Sequence, residues 1–105
     1  MNITRKLSSY TITCAIAQVV GEMREMGQDV SLSDIAAFLG CTKQTAKKYA
    51  TKAIWSEKLM AFQKPYRPNR TMYVYALGKA GHKSFNCPVY QSAKKIVLIQ
   101  RGIIE

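Results

Sequence analysis

The sequence predicts an α+β domain in which three helices are followed by a β-hairpin and then by an apolar, helical C-terminal segment. Three observations carry this. Apolar residues recur at helical spacing through the first half of the chain, "SLSD" and "CTKQ" supply helix starts after each break, and "KPYRPNRTMYVYAL" (Lys64–Leu77) passes from proline-punctuated cations to strand alternation. At 105 residues, one domain with one modest core is expected. Residues 1–86 are assigned to that domain and residues 87–105 to a segment that either packs on it or dimerises.

The first helix is expected over residues 8–26. Ile12, Ile16, Val19, Met23 and Met26 form its apolar stripe, with Ala15 and Val20 beside them, and Gly27-Gln28-Asp29 breaks it. The second begins near Ser31, an N-cap with Asp34 three residues on, buries Ile35, Ala36 and Leu39, and stops at Gly40 in a left-handed conformation. Thr42 caps the third, in which Ala46, Tyr49, Ala50, Ala53 and Ile54 form the inner stripe and Lys43, Gln44, Lys47, Lys48, Thr51 and Lys52 fall largely on other faces. Leu59–Phe62 reads as a short strand, "KPYRPNR" as a tip, and Thr71–Leu77 as the return strand. Pro65 and Pro68 are expected outside the ladder. "GKAGHKSF" begins a turn or short helix. Pro88 opens the last helix, on which Val89, Ala93, Ile96 and Val97 share a face.

Composition excludes several classes. No run resembles a membrane span and "MNITRKLSSY" lacks the apolar region of a signal peptide, so a cytoplasmic location is expected. Cys14, Cys41 and Cys87 are widely spaced and His82 is the single histidine, which predicts buried thiols rather than a zinc site or a disulfide scaffold. Gly78 and Gly81 lack the spacing of a phosphate-cradling loop, and the basic region holds one acid, Glu57. The other acids of the first two helices read as surface residues. No catalytic residue, metal or cofactor is expected.

Charge is concentrated in the middle of the chain. Residues 1–41 have a net charge of −1, residues 42–83 of +9 and residues 84–105 of +2. A block this basic calls for a partner with many negative charges, and nucleic acid is the direct candidate. A helix followed by a tight turn, a basic helix and a stiff charged hairpin also suits a duplex, because a helix fits the major groove.

"IAAFLGCTKQTAKKY" resembles the helix-turn-helix pattern: Ala36 at the close crossing, Gly40 in the turn, Ala46 six residues on, and Tyr49 in the next buried slot. Ala46 stands where the pattern prefers a branched aliphatic, which implies either closer helix packing or a bulky neighbour such as Trp55. The hairpin extends the likeness to the winged helix-turn-helix DNA-binding superfamily. "YVYALGKAGHKSF" is similar to the segment after the wing in many bacterial regulators, matching at Tyr75, Leu77 and Gly81, with Gly78 where Thr or Ser is common. The likeness spans roughly residues 10–85. It implies a recognition helix over about residues 42–56 and a basic wing over 64–71. The implied partner is double-stranded DNA and the implied role transcriptional regulation, as a nucleoid-associated repressor. Winged-helix domains also serve as origin-binding domains of phage or plasmid replication initiators, and a non-specific architectural binder is a third class.

On the third helix Gln44 and Thr45 are the base-reading candidates, with Lys43, Lys47 and Lys48 beside them and Lys52 further along toward phosphate. Thr42 can offer its backbone amide to phosphate as well as cap the helix. In the wing, Arg67 and Arg70 are assigned to phosphates or the minor groove, Lys64 and Asn69 complete the basic segment, and Tyr66 packs on a sugar or braces the hairpin. Each lysine is as readily a solvated surface residue. Tyr49, Trp55 and Phe62 are assigned to the core. Tyr73 and Tyr75 keep open a single-strand alternative in which they stack on bases. The first helix and residues 89–104 together form a candidate homodimer surface; the bland alternative is that residues 89–104 cover the domain's own core.

Overall fold

The computed structural model describes residue 4, residues 7–79 and residues 90–102. Through their centre runs α1 (Ser9–Glu25), apolar on more than one face: Ile12, Ala15, Ile16, Val19, Val20 and Met23 are buried, and so are Thr13, Gln18 and Gly21. The Ser8 hydroxyl caps its start by accepting the Thr11 N–H at 3.2 Å. Gly27 ends it at φ +78°, and the Gln28 amide turns back to the Met23 carbonyl at 3.0 Å. Met26, counted in the apolar stripe, lies at this stop and is exposed.

Next come α2 (Leu32–Leu39) and α3 (Lys43–Trp55), joined by Gly40, Cys41 and Thr42. Asp34 accepts from the Ser31 amide at 2.9 Å and from the Ser31 hydroxyl at 3.0 Å, so the short acid closes the cap. Gly40 sits at φ +72°, with its own amide and that of Cys41 both donating to the Ala36 carbonyl. Thr42 accepts the Thr45 N–H at 3.3 Å, which starts α3 at once. Ala46, Ala50 and Ala53 are buried on the inner face of α3. Closer packing therefore answers the small residue at position 46. The other expectation is corrected: Trp55 is 81% exposed and fills nothing. It is the last residue of α3, on the side away from the three alanines.

β1 (Leu59–Arg67) and β2 (Arg70–Leu77) pair antiparallel from Leu59 opposite Leu77 to Arg67 opposite Arg70, with an irregularity between Pro65 and Arg67. The ladder thus runs through the stretch expected as a loop, and Pro65 lies inside it, opposite Thr71. The phase of the ladder explains why. Tyr75 sends its amide away from β1 to the Val30 carbonyl at 2.9 Å, so its partner Ala61 belongs to a non-hydrogen-bonded pair. Pro65, four residues further in the same register, shares that phase, and its missing N–H removes no ladder bond. The tip shrinks to Pro68-Asn69. Proline followed by a residue at φ +67° is the type II turn combination. Val74 and Tyr75 point to opposite faces yet both are buried, because α1 packs on the sheet and Val30 covers the outer edge of β2.

α4 (Tyr90–Gln100) uses its apolar residues internally. Ala93 and Val97 join the core shared with α1 and α2, and Leu98 is buried, leaving Ile99 exposed. Lys94 pairs with Glu22 of α1 at 3.5 Å. Just past the helix, Arg101 reaches Asp34 at 3.3 Å and donates to the Gln28 side chain at 3.3 Å. The described part of the C-terminal segment therefore covers the domain's own core. α1, assigned to the same dimer surface, is enclosed on most sides within one chain. The expectations for Gly81, His82, Lys83, Cys87, Pro88, Val89, residues 103–104 and the Tyr66 side chain lie outside the described residues. No helix among the described residues is long and apolar enough to cross a membrane.

Gly78, which stands where the resemblance prefers Thr or Ser, has a steric reason. A Cβ there would come within 2.3 Å of the Glu57 carbonyl oxygen, at the point where the Gly78 amide donates to Lys58 at 2.9 Å. Glu57 cannot easily retreat, because it holds the left-handed position (φ +61°) that ends α3. Gly78→Ala is expected to destabilise the fold by about 1–3 kcal/mol, read as a lowered urea midpoint at unchanged slope. An unchanged midpoint would mean that the Glu57 carbonyl moves aside freely.

Candidate nucleic-acid interface

The outward side of α3 is a ready-made stripe. Gln44, Lys47, Lys48, Thr51, Lys52 and Trp55, spaced at helical intervals, line a shallow groove of about 370 Å³. Lys48 and Lys52 lean on the Tyr49 ring, with their ammonium groups 5.7 and 5.5 Å from its centre, so two of the cations are braced rather than free to sweep solvent. Tyr49 itself is half-buried against the core. Thr45 differs from its neighbours: it is half-buried and accepts the Thr42 hydroxyl at 3.2 Å, so it serves the cap more than the outer face.

Around the helix lies a larger cleft of about 600 Å³, between α3, the start of α2 and β2. Lys43 and Lys47 form one wall, Ser31 and Ser33 another, and Met72, Tyr73 and Tyr75 the third. Lys47 belongs to both hollows, so the stripe and the cleft are one continuous surface. Tyr75 is a buried part of this wall, its phenol pushed above the usual range by burial, which removes it as a stacking platform. Tyr73 is 59% exposed, and its hydroxyl accepts from the Gln63 amide at 3.1 Å. Phe62, assigned to the core, is half-buried beneath the Arg24 guanidinium, 5.2 Å from the ring centre.

Arg67, Asn69 and Arg70 are exposed at the hairpin end, beyond the cleft wall at Met72 and Tyr73. Asn69 occupies the left-handed turn position, a conformational task its side chain suits. Lys64 is tied elsewhere: its ammonium pairs with Asp29, which Arg24 also approaches at 3.5 Å. The partners are 35 residues apart, and the pair fastens the hairpin to the α1–α2 connection. Hydrogen bonding from Lys64, aided by the positive charges of Lys64, Arg24 and Arg101, holds the Asp29 carboxyl below its ordinary range.

The acids and cations are thus segregated. Glu22, Asp29 and Asp34 are engaged with Lys94, with Lys64 and Arg24, and with Arg101, so these three of the acids expected on open surface are cap and tether groups, while Glu25 is exposed as expected. No acid lines either hollow. Among the described residues, no carboxylate pairs with Lys43, Lys47, Lys48 or Lys52, and no group of three or more His, Cys, Asp or Glu side chains converges. The surface can therefore attract an extended polyanion and offer it amide, hydroxyl and aromatic groups. Sequence reasoning missed Trp55 on this surface because it weighed apolarity and not phase: position 55 continues the line through Gln44, Lys48 and Thr51.

Comparison with protein-family models, curated proteins and solved structures finds no match to this chain.

The Asp29 tether has a pH signature. Because its folded pKa is depressed, the stability it contributes is whole above the ordinary carboxylate value of about 4 and is lost as pH falls through the lower folded value. Asp29→Asn should lower stability at pH 7 and show a smaller further loss than wild type on acidification below about pH 4. Parallel acid profiles for the two proteins would show that the pair contributes nothing to the fold.

Proposed function

We propose that the protein binds double-stranded DNA as a winged helix-turn-helix module and acts as a transcriptional regulator, repressing by occupying its site. α2, the three-residue turn and α3 form the helix-turn-helix, and the β1–β2 hairpin is the wing. The observation that carries this is the acid-free surface joining the outer stripe of α3 to the cleft against β2, while Glu22, Asp29 and Asp34 are paired elsewhere. Charge, groove-sized helix and projecting hairpin then serve one partner.

In this reading Gln44 is the chief base reader, since a carboxamide can bond bidentately to adenine. Lys43, Lys47 and Lys48 flank it toward phosphate or guanine, Lys52 lies further along, and the Thr42 amide faces phosphate at the helix start. Arg67 and Arg70 extend the contact from the tip. Lys64 and Asn69 act indirectly, the first by anchoring the wing through Asp29 and the second by forming its turn.

Selection from a random duplex library at moderate salt tests the reading. An enriched motif is expected, and a palindrome would indicate two copies on one site. Direct repeats would move the role toward replication initiation, and no enrichment would overturn sequence-specific regulation. On the selected site, Gln44→Ala should reduce discrimination by roughly 1–3 kcal/mol. Equal loss on selected and random duplex would remove it from base recognition. Arg67→Ala with Arg70→Ala should flatten the dependence of log K on log salt by up to about two ion equivalents. An unchanged slope would take the wing out of the interface.

A further inference from the structure

The exposed indole at the end of α3 is the feature that the assigned contacts leave unused. Trp55 is 81% exposed and is the single tryptophan of the chain. One exposed aromatic residue is by itself unremarkable. Its surroundings are less ordinary: it closes the groove whose other lining residues are Gln44, Lys47, Lys48, Thr51 and Lys52, with no acid among them. Its backbone is also fixed, because the Glu57 and Lys58 amides return to the Ile54 and Ala53 carbonyls at 3.0 and 2.9 Å.

Distance along the helix turns this into a statement about docking. Gln44 and Trp55 are eleven residues apart, about 16 Å along the axis. The major groove is about 8.5 Å deep and about 12 Å wide. A helix entering by its first turn alone would leave Trp55 outside, in solvent. A helix lying lengthwise in the groove carries the same stripe onto DNA from end to end.

Building on the duplex-binding reading, we infer that α3 lies lengthwise along the DNA and that Trp55 packs its indole on the sugar-phosphate rim. Lys48 and Lys52 meet the flanking phosphates while the ring covers deoxyribose carbons. Charge complementarity selects this occupant: three lysines share the groove, and a duplex presents phosphates at regular spacing along it. The contact is apolar, so it adds affinity without adding to counterion release.

The experiment is a titration of the full chain with a dye-labelled duplex carrying the selected site, reading dye anisotropy and Trp55 emission together. Emission is expected to change in step with anisotropy. Trp55→Ala should weaken binding about tenfold, the size of one well-seated aromatic contact, with the salt slope unchanged. Trp55→Phe should restore most of the loss. Circular dichroism of both variants checks that the exposed position has not disturbed the fold. If anisotropy saturates while emission stays constant and Trp55→Ala binds like wild type, α3 docks by its first turn and the inference fails, although duplex binding stands. A larger emission change and tighter binding with the matching single strand would replace the rim contact by stacking on unpaired bases. No anisotropy change with any duplex would overturn the duplex reading itself.

Discussion

Three alanines hold the basic side of this molecule in place. Ala46, Ala50 and Ala53 are the buried face of α3, and each brings little apolar area of its own. Their contribution is clearance: without branched or aromatic bulk, the α3 backbone can settle closely on the core built by α1 and α2. Everything outward of α3 inherits its position from that contact. The line from Gln44 to Trp55 points away because the alanines point in, and the cleft against β2 has its width because the helix cannot stand further off. A larger side chain at any of the three would lift the helix and move the whole basic surface with it.

Electrostatics divides the same structure in two. Most of the described acids are paired with cations that fasten elements together: Asp29 joins the hairpin to the α1–α2 connection, Glu22 joins α1 to α4, and Asp34 caps α2 while receiving Arg101. These are modest interactions one by one, as exposed or half-exposed pairs generally are. Their placement matters more than their strength. With Glu22, Asp29 and Asp34 engaged in these tethers, α3 keeps a positive face on which, among the described residues, no carboxylate pairs with Lys43, Lys47, Lys48 or Lys52.

The local devices were legible in the sequence and the long-range ones were not. Ser31 with Asp34, Gly40 and Thr42 each act within a few residues, so their type and spacing foretold the cap, the left-handed stop and the next start. The buried faces of α1 and α3 followed from periodicity. Pro65 misled because proline was taken as the end of a strand, whereas its effect depends on ladder phase, which only pairing fixes. Lys64 reads in sequence as one more cation of the basic wing because its partner, Asp29, lies 35 residues away. Trp55 was assigned to the core on apolarity, although its helical phase places it among lysines. Gly78 departed from the resemblance for a reason visible only in three dimensions, the nearby carbonyl of Glu57.

The hairpin has two unequal edges, and this bears on how the protein lives at high concentration. Val30 closes the outer side of β2 through the Tyr75 amide, but β1 has no strand beyond it among the described residues. An unpaired edge is a template on which a second chain can add a strand, and Met60, exposed there, would welcome one. The same edge carries Pro65 and a register shift, which are a missing donor and a local twist. The proline and the register shift that shape the hairpin thus also make its open edge a poor template for a second strand.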